Sequence, residues 1–204
     1  MIADERRQTA GLLDALTAEQ WETPSLCEGW RVRDVVAHLL MPFSVSLPRM
    51  ALMLARSGFD LDKTSDRFAR REQRTNAELA AALRANAEHR FTPPGLGPEA
   101  PLTDIVVHTQ DISRPLGIPT PIPAEHAHVV LDFLVSPKAV RGFVPAGLTE
   151  GLTFTSVDTG WLHGSGSGVT GSATDLMLTI AGRRGAIDAL SGNGVEVLRS
   201  RLGR

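Results

Sequence analysis

Residues 16–39 read LTAEQWETPSLCEGWRVRDVVAHL, and they carry the strongest local signal of how the chain folds. A proline and a glycine in the first half of this stretch interrupt any helix, because proline lacks a backbone donor and glycine favours turns. From Val32 onward apolar residues recur at positions i, i+3 and i+4, which is typical of a helix with one buried face. The spacing predicts a helix over residues 32–56, bent by two internal prolines. His38 lies on it among valines and leucines, so we expect this imidazole to face the protein interior.

The same periodicity outlines further helices on both sides of this stretch. It predicts helices over residues 2–20, 65–88, 101–113 and 124–133. Segments rich in proline and glycine separate the later ones and mark loops. Long helices joined by loops are typical of an antiparallel bundle, so we expect a four-helix bundle in this part of the chain.

The pattern changes after about residue 141. Residues 151–157 alternate apolar residues with Thr and Ser, which indicates a strand, and the Gly-rich residues 164–168 indicate a turn that leads to another strand around Val169. Helical patterns follow over residues 175–181 and 194–202. We therefore expect an α+β protein, with a helical bundle over residues 1–142 and a small C-terminal α/β domain over residues 143–204.

The composition limits the range of partners. Lys and Arg number 21 and Asp and Glu 23, a formal charge of −2, and no basic run is present. This balance argues against nucleic acid or an anionic membrane as a partner. No apolar stretch approaches the roughly 20 residues that span a bilayer. The acidic N-terminal sequence lacks the basic region of a signal peptide. We expect a soluble, cytoplasmic protein, and its few aromatic residues offer no obvious interface for oligomerisation.

Two of the six histidines stand in sequence contexts that suggest chemistry. Asp104, His108 and Asp111 are spaced i, i+4 and i+7, so they share one face of a helix. A carboxylate and an imidazole one turn apart can share a metal ion, although the same spacing is common for an ordinary hydrogen bond. With His38 added, two helices would supply three ligands and leave a fourth position open, as in catalytic zinc sites.

Cys27 is the only cysteine, so a disulfide within the chain is excluded. It lies near Asp34 and His38 in sequence, and a cysteine–histidine pair acting as a nucleophile is one interpretation. The other interpretation, which we favour, is a small buried residue beneath Trp30.

The stretch 16–39 strongly resembles the N-terminal signature of the mycothiol-dependent maleylpyruvate isomerase family, a branch of the DinB-like metal-binding bundles. The resemblance continues at Asp104-x3-His108-x2-Asp111, which stands where the family has Glu-x3-His. It continues again in residues 158–161, 171–176 and 181–183. It implies a DinB-like antiparallel four-helix bundle followed by a small C-terminal α/β domain that is SCP2-like.

By this resemblance the metal ligands fall on His38, Asp104 and His108, with zinc as the expected divalent ion. Asp104 is one methylene shorter than the family's usual glutamate, which changes the reach of the carboxylate. Asp111 would orient a ligand imidazole by hydrogen bonding. Arg183 stands in the family's Gly-Arg element and would act catalytically by pairing with a substrate carboxylate. The alternative for Arg183 is an ordinary surface arginine.

The resemblance also implies thiol chemistry, with mycothiol as cosubstrate and a small electrophile as substrate. In the isomerase the thiolate adds to an activated double bond, allows rotation and leaves, whereas in sister proteins it would stay attached, as in a transferase. Two other functions remain open: a non-catalytic ligand-binding or regulatory protein with a metal site weakened at Asp104, and a metallohydrolase with water at the open position. The Arg-, Ala- and Gly-rich composition agrees with an actinobacterial genome, where mycothiol is made.

Overall fold

The computed structural model describes residues 1–203 and has an α+β fold. Helices dominate, and one three-stranded sheet lies in the C-terminal part. The helices are α1 (Ile2–Asp14), α2 (Ala18–Trp21), α3 (Val32–Ser44), α4 (Leu47–Arg56), α5 (Leu61–Ala69), α6 (Asn76–Ala85), α7 (Glu99–Ser113), α8 (Ala124–Leu134), α9 (Ala173–Ile180) and α10 (Val195–Leu202). The strands are β1 (Leu152–Ser156), β2 (Leu162–Gly164) and β3 (Ser167–Gly171).

The chain divides into two compact units. The first contains Met1–Thr92 and Asp111–Pro119, and the second contains Pro93–Gln110 and the residues from Thr120 onward. The expected domain boundary between residues 142 and 143 stays a prediction. Over residues 1–203, none of the helices combines the length and the apolar character that crossing a membrane requires.

Capping residues divide two of the predicted helices of the first unit. The helix predicted over residues 2–20 ends at Asp14, and Thr17 then caps α2 in a reciprocal pair of hydrogen bonds with Gln20. The helix predicted over residues 65–88 is likewise two helices, because Thr75 and Glu78 form the same capping box at the start of α6. Such boxes satisfy the backbone N–H groups that a new helix leaves without intrahelical partners.

The helix that carries His38 is shorter than predicted. It ends at Ser44, Val45 is extended (φ −129°, ψ 125°), and α4 begins after Ser46. The break places Pro48 in the first turn of α4, where a residue without a backbone donor is tolerated. Pro42 stays inside α3.

Apolar faces hold the first unit together. Helix α1 packs against α6, and α3 packs against both α5 and α6. Leu13, Val36 and Leu83 are completely or almost completely buried between these helices. Arg6 is also buried, and its guanidinium donates to the carbonyls of Ala87 and His89 in the turn after α6 and lies 4.8 Å above the ring of Phe43. The cation therefore ties α1 to the segment that follows α6.

The second unit contains the sheet, in the order β2-β1-β3. Strand β1 is antiparallel to β2 and parallel to β3, with Phe154 opposite Val169 in the parallel pair. Both of these side chains are fully buried, and α9 covers β1 and β3 while packing against α8. The first strand and the two helices predicted for this region are confirmed within about two residues at each end, and the strand predicted around Val169 is β3. The predicted Gly-rich turn of residues 164–168 also contributes residues to β2 and β3.

Candidate metal centre

The start of α3 is fixed by an ion pair four residues before His38. The Asp34 carboxylate accepts hydrogen bonds from the Arg31 backbone N–H at 3.0 Å and from the guanidinium Nε and Nη2, both at 2.9 Å. Burial raises the pKa of Asp34, but the hydrogen bonds from Arg31 outweigh burial and hold its pKa below the usual value. The pair therefore caps α3 with a carboxylate at the positive end of the helix dipole.

His38 lies in the second turn of α3 and is half-buried. Its imidazole packs against the indole of Trp30, with ring centroids 5.4 Å apart and an interplanar angle of 50°. Trp30 belongs to the loop that precedes α3, and it is fixed by Ser25, whose backbone N–H and hydroxyl both donate to the Trp30 carbonyl at 2.8 Å. The proline- and glycine-containing part of the signature stretch therefore forms a structured turn that places an aromatic ring against His38.

Helix α7 carries the other two predicted ligands. Asp104 and His108 lie one turn apart, and the Asp104 Oδ1 is 3.4 Å from the His108 Nε2. His108 is buried, whereas the Asp104 side chain keeps 28% of its surface exposed. Two ligands of a tetrahedral zinc, each about 2.0–2.2 Å from the metal, lie about 3.4 Å apart. The spacing and the donor chemistry of this pair fit a zinc ion, even with an aspartate in place of the family's glutamate.

Asp111 lies two helical turns beyond Asp104 on α7 and is completely buried. Its Oδ2 accepts a hydrogen bond from the Cys27 Sγ at 3.1 Å, and its backbone carbonyl accepts one from the Leu26 N–H at 3.1 Å. The role predicted for Asp111, orientation of a ligand imidazole, stays a prediction. The structure brings Asp111 together with Cys27, a contact that the spacing of residues 104–111 does not indicate.

Arg183 follows α9 in the second unit and is half-buried. Its Nη1 donates to the Ala181 carbonyl, and its backbone N–H donates to the Leu178 carbonyl at 2.8 Å. These bonds fold the residue back onto the end of α9. Its predicted catalytic role stays a prediction, and Arg184, its exposed neighbour, provides a comparison.

Asp66 on α5 is a further residue beside the candidate site, and the sequence patterns do not single it out. Its Oδ1 accepts a hydrogen bond from the Trp30 Nε1 at 3.1 Å, and both of its carboxylate oxygens accept from the Arg70 Nε, at 2.8 and 2.9 Å. The i, i+4 spacing of Asp66 and Arg70 indicates their ion pair. Nothing in the sequence indicates the contact with Trp30, which is 36 residues away.

Fold and site together define an α+β protein whose helical part carries a carboxylate–imidazole pair suited to a metal. The particular family follows from comparison with known proteins. The chain belongs to the family described as "Mycothiol maleylpyruvate isomerase N-terminal domain", whose model matches residues 2–113, more than half of the chain. The resemblance noted from residues 16–39 is thereby confirmed. A comparison with curated protein sequences finds no match.

Two solved structures have a similar fold. One is a crystal structure of a histidine-to-alanine mutant of the mycothiol-dependent maleylpyruvate isomerase; it is 17% identical, has a TM-score of 0.50, and the match covers 95% of this chain and 93% of that one. The other, "Crystal structure of the mycothiol-dependent maleylpyruvate isomerase", is 15% identical, with a TM-score of 0.46 and the same coverage. At these identities the first likeness shows the fold, and α+β is confirmed as the fold class.

Proposed function

We propose that this chain is a mycothiol-dependent, isomerase-like enzyme in which His38, Asp104 and His108 hold a divalent cation, most suitably zinc. The family assignment supports an enzyme rather than a purely structural protein, and all three residues fall within the matched region 2–113. Each offers one atom of a type that zinc binds, an imidazole nitrogen or a carboxylate oxygen. The observation that carries the proposal is the 3.4 Å separation of the Asp104 and His108 donor atoms, because it equals the ligand spacing of tetrahedral zinc.

Three protein ligands leave one coordination position for a cosubstrate. A cation held by these residues would lower the pKa of a bound thiol from its ordinary value of about 8.5 and so favour the thiolate of mycothiol. His108 is buried, whereas His38 and Asp104 are only partly buried.

Arg183 is the residue that we assign to substrate recognition. Its guanidinium is planar and always charged, and it matches a carboxylate with two parallel hydrogen bonds. Maleylpyruvate, the compound in the names of the two similar structures, carries carboxylates. Arg183 would orient one of them, and the bond to the Ala181 carbonyl limits the orientations of its side chain beforehand.

The test is metal analysis together with a turnover assay on the full chain. Wild type purified with added zinc should contain about one zinc per chain and isomerise maleylpyruvate only when mycothiol is present. His38→Ala should lose zinc and at least a hundredfold in turnover, since even residues that only orient metal ligands contribute about 10–100-fold. His163→Ala is the matched control, because this exposed histidine lies in strand β2. Its replacement should leave zinc content and turnover unchanged.

The products distinguish the neighbouring functions. Recovery of all the mycothiol supports the isomerase, and stoichiometric loss of the thiol with a model electrophile identifies a transferase. Hydrolysis without any thiol identifies a metallohydrolase. Protein that takes up no zinc, or a His38→Ala variant that keeps both zinc and turnover, would contradict the proposal.

A further inference from the structure

A tryptophan from the preceding loop packs against the imidazole of His38. We propose that Trp30 is a positioning residue, whose indole, anchored by Asp66 and Arg70 on α5, fixes the orientation of the His38 imidazole before a cation binds. The inference rests on the proposed metal site. The residues involved all lie in the first unit, and Trp30 acts through His38.

The ring contact restricts how the imidazole can turn. A centroid separation of 5.4 Å at 50° lies within the range of favourable aromatic pairs. An imidazole on a helix otherwise samples several χ1 and χ2 rotamers, and only some of them aim a ring nitrogen at a shared cation. An indole against one side of the ring favours a single orientation, and this lowers the entropy that His38 loses when it binds metal.

Trp30 can serve as this support because it is held at both ends. Its backbone N–H donates to the Cys27 carbonyl at 3.0 Å, and its carbonyl accepts from the Ser25 N–H at 2.8 Å. At the far end of the side chain the Nε1 donates to Asp66 at 3.1 Å. With backbone and indole both anchored, the plane of the ring is defined, and rotation about χ1 or χ2 would break the bond to Asp66.

Asp66 is itself fixed by Arg70. The Arg70 hydrogen bonds are the main reason why the pKa of Asp66 lies below its usual value; burial opposes them, and the bond from the Trp30 indole adds to them. The carboxylate is therefore ionised and available as an acceptor throughout the neutral range. Because α5 packs against α3, the helix that carries the anchor also packs against the helix that carries the ligand.

Metal affinity should follow the integrity of this support. Loss of one aromatic pair corresponds to a decrease in affinity of up to about tenfold. We expect Trp30→Ala to weaken zinc binding by about that factor. Trp30→Phe keeps a ring against His38 but loses the bond to Asp66, so its affinity should lie between those of wild type and Trp30→Ala. Asp66→Ala should weaken binding about threefold, because the indole is present but no longer anchored.

A second tryptophan in the chain provides a matched control. Trp161 stacks on His163 with centroids 5.8 Å apart, and its Nε1 donates to Asp132 at 2.8 Å. The arrangement repeats the histidine, tryptophan and aspartate set of the candidate site with residues that we do not place in the metal centre. Trp161→Phe should leave zinc affinity unchanged even where it lowers the melting temperature.

The experiment measures the zinc dissociation constant by competition with a chromophoric chelator and records the visible absorption of the Co²⁺-loaded protein. The Co²⁺ bands report ligand geometry, so a positioning role shifts or broadens them in Trp30→Ala and largely restores them in Trp30→Phe. A role in stability alone lowers the melting temperature of both variants and leaves the bands and the dissociation constant unchanged.

The outcomes separate the two proposals. If wild type binds zinc and Trp30→Ala has the same zinc affinity and the same Co²⁺ spectrum, the positioning role is refuted, whereas the proposed metal centre is not. Wild type that binds neither zinc nor Co²⁺ refutes both. Graded affinities in the order wild type, Trp30→Phe, Trp30→Ala, with Trp161→Phe equal to wild type, support the positioning role.

Discussion

Replacement of Asp34 by Asn tests whether the ion pair at the start of α3 stabilises the part of the fold that carries His38. The Asp34 side chain is only 6% exposed and accepts three hydrogen bonds from Arg31, one from the backbone and two from the guanidinium. Losing a capping acceptor costs about 1 kcal/mol. Hydrogen bonds to a charged group contribute about 1.5–3 kcal/mol to the free energy of unfolding. The contribution here is smaller, because the Arg31 side chain is 45% exposed and solvent screens its charge.

These values give an expected loss for each substitution. Asp34→Asn keeps a carbonyl oxygen for the cap and loses the charge, so we expect a decrease of about 1–2 kcal/mol in the free energy of unfolding. Asp34→Ala loses both the capping oxygen and the charge, so the free energy of unfolding should decrease by about 2–3 kcal/mol. Glu22→Gln is the matched control, since Glu22 pairs with the same Arg31 at the surface and should change stability by less than about 1 kcal/mol.

The pH dependence adds a second criterion. Because the pKa of Asp34 is lower in the folded protein than in the unfolded chain, the pair stabilises the protein fully above the unfolded pKa of about 3.9. This contribution is lost as the pH falls through the folded pKa, so the difference between wild type and Asp34→Asn should shrink in acid. Urea unfolding followed by circular dichroism at about pH 7 and at about pH 2.5, well below the unfolded pKa, measures it. An Asp34→Asn effect no larger than that of Glu22→Gln, or one that does not change with pH, would show that the ion pair does not stabilise α3.

Two further predictions concern Glu72 and Arg183. The hydrogen bonds from Arg74 lower the pKa of Glu72 to about 2 against the opposing effect of burial, so its contribution is complete above about pH 4.3 and lost as the pH falls towards 2. Glu72→Gln should therefore cost about 1–2 kcal/mol near neutral pH in urea unfolding, and the deficit should narrow in acid. Arg183→Ala should raise KM for maleylpyruvate about tenfold or more at unchanged zinc content, since a charged hydrogen bond is lost. Arg184→Ala should leave KM unchanged; equal effects in steady-state kinetics would count against the role of Arg183.

The sequence predicted where helices exist better than where they end. The capping boxes Thr17-x-x-Gln20 and Thr75-x-x-Glu78 are visible in the sequence and mark the two breaks that the apolar periodicity conceals. Periodicity counts apolar positions only, so it extends a helix across a short polar turn whenever the stripe resumes in phase. Pro48 is also visible, but whether a proline bends a helix or begins a new one depends on packing.

In the candidate site, too, the sequence predicts local contacts better than contacts that depend on tertiary packing. Asp104 and His108 are one turn apart on a helix, and local spacing alone predicts their contact. The packing of Trp30 against His38 requires a turn between two residues that are eight positions apart, and the anchor at Asp66 requires α5 to pack against α3. Contacts of this kind depend on tertiary structure, for which one sequence carries no local signal.

The hydrogen bond between Cys27 and Asp111 can be followed through the reactivity of the Cys27 thiol. Since the sequence contains one cysteine, an alkylating reagent labels a single position, and no cysteine has to be introduced or removed. The thiol donates to a completely buried carboxylate, and the adjacent Leu26 N–H donates to the backbone of the same residue. Because Cys27 is only half-buried, the rate of labelling reports how far the loop before α3 and the bond to Asp111 shield the thiol. A change in that rate when zinc or mycothiol is added would show whether these ligands alter the surroundings of Cys27.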